Sequence, residues 1–551
     1  MVAIGLTPWV ATRIFRPNDN EFRAVISNEL YHEFLVLEDA SALLWGAIAD
    51  NPGISAEQIA DGLSFPVDEV REFVTELFDA GLLTIDGQST AQPSIRAAEL
   101  ESRSQRPTSG RNESGTNVEA VPGGDNLEAE FEFQDWARQR GYLWAASWEM
   151  TYRCNESCIH CFNPGASHKQ GQAPQRKTDE LTRDEWLSLL HELKGIGVFR
   201  LMLTGGEVGL HRDFFDVLTE ARKLGFSTTV FTNGTLFDTA ELDQLASLFP
   251  HRIELSIYAA TADKHDEITK LPKSFEKTIS AGKYLHSAGV TVAFKMSVMK
   301  NTVDQVIPFR VLCASLECEG LVDFNMSAGV DGARDPLLDL LPEPVSLIRE
   351  AGNPTSPLYV GTPDVPRRQN WSELRDLPVC GAGLSTMSIS PEGNISPCNS
   401  LPLHVGSVRE KGISEIWRLS RVGSDKANDS LLSQWQETTR SDYVICGSLS
   451  HCEWCHKCPG LAFLEVGNEL LPSVVNCRNA AARLLAHTLL CEGRDPTIAT
   501  EFDLSQLQKR FPEYTALWQT QERFSRQISL ESVRENLRQR AKVSVLLKNP
   551  C

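Results

Sequence analysis

Three cysteines carry the most specific chemistry in this chain. Cys154, Cys158 and Cys161 form a C-x3-C-x2-C array within Met150-Thr-Tyr-Arg-Cys-Asn-Glu-Ser-Cys-Ile-His-Cys-Phe-Asn-Pro164. Three thiolates so close in sequence can hold three corners of a cubic iron–sulfur cluster, leaving the fourth iron free to bind a substrate or cofactor. Zinc is the alternative, but structural zinc sites usually pair two C-x2-C knuckles and close all four positions. Here only His160, inside the loop itself, lies within local reach as a fourth ligand.

A second group of small and acidic residues follows at a telling distance. Thr204-Gly-Gly-Glu207 begins 43 residues after Cys161 and ends a β-prone run, Phe199 to Leu203. Glycines there let backbone approach a ligand closely, and Glu207 offers an acceptor for an ammonium group. Thr232-Asn233-Gly234-Thr235 ends the next run, Ser227 to Phe231, and Ser256 falls near the end of the one after, Ile253 to Ile257. Lys295 sits within Thr291 to Val298, with its direction open.

The elements that must position these residues alternate. Strand-like runs over Trp144–Tyr152, Phe199–Leu203, Ser227–Phe231, Ile253–Ile257, Thr291–Val298 and Leu321–Met326 are separated by helix-length segments. Thr182-Arg-Asp-Glu185 is a capping box opening one of those helices, with Trp186, Leu189, Leu190 and Leu193 on its apolar face. Such alternation predicts a parallel sheet with helical crossovers, whose ligands gather at the carboxyl ends of the strands. Cys313 and Cys318 are expected on a helix as small buried residues.

The cysteine array, the Gly-Gly-Glu segment and the T-N-G turn together resemble the radical S-adenosylmethionine (radical SAM) enzymes. The resemblance implies a partial (β/α)6 barrel over residues 135–345. It implies that Cys154, Cys158 and Cys161 hold a SAM-cleaving 4Fe–4S cluster. Gly205, Gly206 and Glu207 would then bind the methionine end of SAM, with Asn233 and Ser256 nearby. The resulting 5′-deoxyadenosyl radical would abstract hydrogen from a substrate.

Cysteines return beyond residue 371. Cys380, Gly393 and Cys398 form C-x12-G-x4-C around the turn Pro391-Glu-Gly-Asn394, and Cys446, Cys452, Cys455, Cys458 and Cys477 follow. This region, residues 371–480, resembles the SPASM domain, which carries auxiliary iron–sulfur clusters. Its second half departs from the family spacing, C-x2-C-x5-C-x3-C, by reading C-x5-C-x2-C-x2-C. Two fully ligated cubane clusters need eight thiolates, and seven are present, so the resemblance implies three 4Fe–4S clusters with one auxiliary iron open or held by another ligand. Cys491 and Cys551 are candidates for the eighth place. His404, His451 and His456 read as surface or hydrogen-bonding residues. Zinc at Cys446–Cys458 is the alternative for that segment.

Residues 1–90 read as a small separate domain. Phe22–Ser27 and His32–Leu37 are β-prone, helices are expected at Asp39–Ile48, after the capping box Ser55-Ala-Glu-Gln58, and over Val67–Phe78, and Leu82–Ile85 returns as a strand. This is a winged-helix order. The third helix displays Asp68, Glu69, Glu72, Glu76 and Asp79 against one Arg71, which opposes nucleic-acid binding. The order is similar to the PqqD-like peptide-binding domain (RiPP recognition element), which implies capture of a precursor-peptide leader as an added strand. Residues 91–134 are rich in Ser, Pro, Gly and charge and read as a flexible linker that lets the leader sit at varying distance. Residues 481–551 read as a helical extension.

The whole chain is acidic, with 53 basic against 73 acidic residues and a net charge of −20, again unfavourable to nucleic acid. No apolar run is long enough for a membrane span, and no secretory signal is visible, so a cytoplasmic location is expected. The combined expectation is a radical SAM/SPASM maturase that forms a thioether or carbon–carbon crosslink in a ribosomally made precursor peptide, with electrons from a donor such as flavodoxin or ferredoxin. A maturase of a folded protein partner and a metal-dependent helix-turn-helix regulator are the alternatives.

Overall fold

The computed structural model describes residues 2–18, 21–91, 125–163, 179–326, 329, 340–367, 369–371, 373–420, 430–443, 446–447 and 451–511. The expected linker sequence up to residue 124, the chain beyond residue 511 and Cys551 lie outside the described residues.

The amino-terminal domain opens with β1 (Ile4–Leu6), followed by an antiparallel sheet of β2 (Val10–Asn18), β3 (Glu21–Asn28) and β4 (Glu33–Glu38). Helices α1 (Asp39–Asp50), α2 (Ala56–Leu63) and α3 (Val67–Asp79) come next, and β5 (Leu83–Ile85) pairs back onto β1. Ser55 and Gln58 close the capping box on α2. Trp45, Ile48, Ile59, Val70 and Val74 form the core under the helices. β1 and β2 were not anticipated from the sequence. Arg13 and Arg16 interrupt the β2 run with charge, yet Arg13 is 4% exposed because its guanidinium donates to the carbonyls of Val198 and Leu224.

Helix α4 (Asp125–Gln139) corrects the expected linker boundary at 134. Its Phe133 and Trp136 pack with Phe15, Phe34, Trp144 and Phe199, bonding the small sheet to the next domain. The small domain is therefore seated, not loosely tethered. Thr12 N–H donates to the Gly225 carbonyl, and Glu29 receives a hydrogen bond from His251 at 2.8 Å.

The barrel strands are β6 (Ala145–Glu149), β7 (Arg200–Thr204), β8 (Ser227–Thr232), β9 (Arg252–Ser256), β10 (Val292–Ser297) and β11 (Glu319–Asp323). All are parallel and adjacent in chain order. The crossovers are α5 (Arg183–Gly195), α6 (Phe214–Lys223), α7 (Thr239–Ser247), α8 (Ala262–Thr269), α9 (Ser274–Ser287) and α10 (Val306–Ser315). Alternation sends Ala146, Trp148, Leu201, Leu203, Ile253 and Leu255 into the core against these helices. The sheet is open, a partial barrel. β12 (Thr386–Ile389) pairs in parallel with β6, and β13 (Asn394–Ser396) and β14 (Gly406–Ser407) extend it antiparallel. The hairpin expected between Cys380 and Cys398 thus continues the barrel sheet.

Cys313 lies on α10 as expected, but Cys318 is in the turn before β11. The expected boundary at 480 falls inside a continuous helix, α11 (Val474–Cys491), which carries Cys477 in its first turn and is buried along most of its length. No helix among the described residues is long and apolar enough to cross a membrane.

Candidate active site and metal centres

The cysteine loop leaves the carboxyl end of β6 and is pinned by its backbone. Ser157 N–H donates to Thr269 O (2.9 Å) and Ile159 N–H to Ile268 O (3.1 Å), both at the end of α8. Cys154, Cys158 and Cys161 line one cavity of about 210 Å³ at the carboxyl ends of β6 to β10. Burial raises the thiols of Cys154 and Cys158, and the neighbouring carboxylates and thiols raise them further. The Cys158 thiol donates to Glu156 at 3.3 Å, and burial lifts that carboxyl to about 8. Three thiols on one cavity, two of them resisting ionisation on their own, are a donor set suited to a metal cluster, whose positive charge would deprotonate them. His160 instead packs edge-on against Tyr258, with ring centroids 4.2 Å apart.

The Gly-Gly-Glu segment follows β7 as expected, but its glycines serve the chain itself. Gly205 has φ 141°, and a Cβ there would fall 2.3 Å from the Thr151 carbonyl oxygen. A Cβ on Gly206 would fall 2.2 Å from the Arg153 carbonyl oxygen. Gly206 N–H donates to Thr151 O (2.6 Å) and Glu207 N–H to Arg153 O (2.8 Å), so this segment is zipped to the entry of the cysteine loop.

Gly205, Gly206, Asn233 and Ser256 all line the cavity, while Glu207 is set behind it. The buried Glu207 carboxylate accepts from Thr232 Oγ1, from Asn233 N–H at 2.6 Å and from Gly209 N–H at 3.1 Å. Burial raises it and those three donors oppose the rise. Three of its roughly four acceptor positions are occupied. Its visible task is to hold the end of β8. Asn233 in turn donates to Asn155 at 2.9 Å and approaches Cys154 Sγ at 3.9 Å. Lys295, left undirected by the sequence, faces the cavity with its ammonium 5.3 Å from the Phe231 ring centre. Glu149, last residue of β6, lines the same cavity and was missed. The signal was the alternation Trp148-Glu149-Met150, which turns a carboxylate inward just before the cysteines.

The seven later cysteines fall into two sets. Cys398 lies within electrostatic reach of Cys458 and Cys380. Cys455 lies within reach of Cys477, Cys446 and Cys452. Burial pushes Cys398 up to about 12. Cys458 caps the helix Pro459–Val466, and its N–H donates to Asn476 Oδ1 at 2.8 Å, one residue before Cys477. Cys491 is exposed at the far end of α11, about 20 Å along the helix from Cys477 at 1.5 Å per residue. It belongs to neither set. His451 is buried, unlike His404 and His456, which are exposed as read from the sequence.

Comparison with known proteins gives two family matches. Residues 148–308 match the radical SAM superfamily, and residues 380–459 match the SPASM iron–sulfur cluster-binding domain. Similar solved structures include Streptococcus suis SuiB bound to S-adenosylmethionine, 16% identical, covering 86% of this chain and 99% of that one, with a TM-score of 0.48. SuiB bound to the precursor peptide SuiA is 16% identical, with coverage of 83% and 96% and a TM-score of 0.44. Native anSMEcpe with bound AdoMet and Cp18Cys peptide is 14% identical, with coverage of 64% and 99% and a TM-score of 0.43.

Proposed function

Because the chain carries a radical SAM domain and a SPASM domain, and so uses SAM and 4Fe–4S clusters, we propose that it is a peptide maturase that crosslinks side chains of a ribosomally made precursor. Cys154, Cys158 and Cys161 hold the SAM-binding cluster. When bound, that cluster supplies the electron that cleaves SAM, and the 5′-deoxyadenosyl group so released takes a hydrogen atom from the peptide. Gly205, Gly206, Asn233 and Ser256 wall the space for SAM, and Glu207 positions the Asn233 amide from behind.

Cys446, Cys452, Cys455 and Cys477 make a complete four-thiolate set for one auxiliary cluster. Cys380, Cys398 and Cys458 make a set of three for a second, leaving one iron to water, a non-cysteine ligand or a substrate thiolate. A thioether or carbon–carbon bond is the product class, and a small redox protein such as flavodoxin or ferredoxin is the electron source.

The observation that carries the peptide reading is the edge of the small sheet. Among the described residues nothing pairs with the outer edge of β4, and Leu35 on that strand is 37% exposed. An extended leader can add there as a strand. The exposed α3 face, with Asp68, Glu69, Glu72, Glu76 and Asp79, supports a peptide over nucleic acid as partner.

The test is anaerobic incubation of the reconstituted enzyme, SAM and reductant with each short peptide encoded by the reading frames flanking its gene. A product lighter by two hydrogens, with fragmentation blocked between the joined residues, is expected. Unmodified peptide alongside turnover on a folded protein would replace this reading with its alternative.

A further inference from the structure

We infer that Glu149 is the proton acceptor of the reaction, taking the proton released when the substrate radical closes onto a second side chain. The inference rests on the crosslinking chemistry proposed above. Glu149 ends β6, and the period of two that buries Ala146 and Trp148 against the helices turns Glu149 to the inner face. It lines the cavity that Cys154, Cys158 and Cys161 share, together with Lys295 and Ser297 of β10.

Its environment is that of a poised base. Glu149 is 9% exposed and accepts from the Tyr152 hydroxyl at 3.1 Å. No ion-pair partner holds it among the described residues. Burial is the main cause that lifts its carboxyl to about 7, Tyr152 opposes the rise, and Glu392 on the β12–β13 turn adds repulsion. Among the described residues, Lys295 is the one lysine or arginine that lines the same cavity. The other cavity carboxylate, Glu156, already receives the Cys158 thiol and belongs to the cysteine loop. A base is most effective with a pKa near the working pH.

The reaction balances with this acceptor. One peptide C–H bond breaks, its hydrogen atom leaving as part of 5′-deoxyadenosine. The carbon radical bonds to a second side-chain atom, a thiol sulfur or an aromatic carbon, whose S–H or C–H bond breaks. The proton goes to Glu149, and the remaining electron goes to an auxiliary iron–sulfur cluster.

The test compares wild type, Glu149→Gln and Glu149→Asp. In Glu149→Gln the ratio of crosslinked peptide to 5′-deoxyadenosine is expected to fall at least tenfold, and the loss of crosslinking below pH ~7 to disappear. Glu149→Asp should restore that acid limb with a shifted midpoint, which a merely structural role would not do. Independently, infrared titration of the cluster-free protein should show a carboxyl C=O band changing near pH ~7 that Glu149→Gln lacks. An unchanged ratio and acid limb in Glu149→Gln, or no such band in wild type, overturns the inference. Wild type that makes 5′-deoxyadenosine and never crosslinks the peptide overturns the crosslinking reaction instead, and the infrared band alone then judges Glu149 as an ionisable group of this cavity.

Discussion

Gly206 has almost no room for a side chain, because its α-carbon faces the Arg153 carbonyl at the mouth of the cysteine loop. Gly206→Ala should therefore cost about 1–3 kcal/mol in a denaturant titration, the range for overpacking a tight site. It should also displace the cysteine loop, lowering iron bound by the SAM-cleaving site. Single residues were legible where their chemistry is rare. Cys154, Cys158 and Cys161, singled out by their spacing, line one cavity with Gly205, Gly206, Asn233 and Ser256. Glu207 was located in the right turn, but its donors could not be foreseen. Gly209 reaches it within the same turn, but Thr232 and Asn233 reach it only after the α6 crossover has folded. The inward direction of Lys295 and Glu149 depends on strand register, which is a tertiary property.

Helix α5 shows one element bearing two duties. Thr182 and Glu185 form its capping box, and the same Glu185 receives Arg409 from just beyond β14 at 2.7 Å. Arg409 also donates to the Asp179 and Glu180 carbonyls. Thr182→Ala should cost about 1 kcal/mol of stability in chemical denaturation, the usual worth of a cap. The box was visible as Thr-x-x-Glu, while its link to Arg409, more than two hundred residues away, was not. The barrel strands were readable to within a few residues, because each lies between turns and β6 to β10 bury alternate residues, whereas β11 has none fully buried. β2 was lost because Arg13 and Arg16 look like surface charge until the Val198 and Leu224 carbonyls are placed beside Arg13. α11 was cut short because Val474 to Asn479 reads as the end of a cysteine-rich region, although Ser473 caps a helix there by accepting from Asn476 N–H.

Across the molecule, the small domain sits at the opposite end of the barrel from the cysteine loop. It touches Val198, Leu224, Gly225, His251 and Thr291, all of which precede their strands. On the proposed reading, a leader on β4 has to send its modified region about 15–20 Å along the strands to reach the cavity. The bolt of this docking is Glu29, with 0% exposure, facing His251 and Arg222. Burial alone would raise Glu29, but His251 and Arg222, with Arg200 further off, outweigh it and hold it at about 2. A carboxylate depressed in this way stabilises the fold above its unfolded value of about 4.3, and that contribution is lost as pH falls through about 2. Glu29→Gln should destabilise the protein by about 3–5 kcal/mol at neutral pH, since it strands the buried Arg222. The gap from wild type should shrink between pH ~4.5 and ~2 in thermal unfolding. The proposed reaction centres on Cys154, Cys158 and Cys161. Its most direct measure is 5′-deoxyadenosine from anaerobic, reduced protein given SAM, compared with the triple variant Cys154→Ala, Cys158→Ala, Cys161→Ala. Wild type should form the nucleoside and the triple variant none; equal amounts from both, or none from wild type, would contradict the assignment of these thiols.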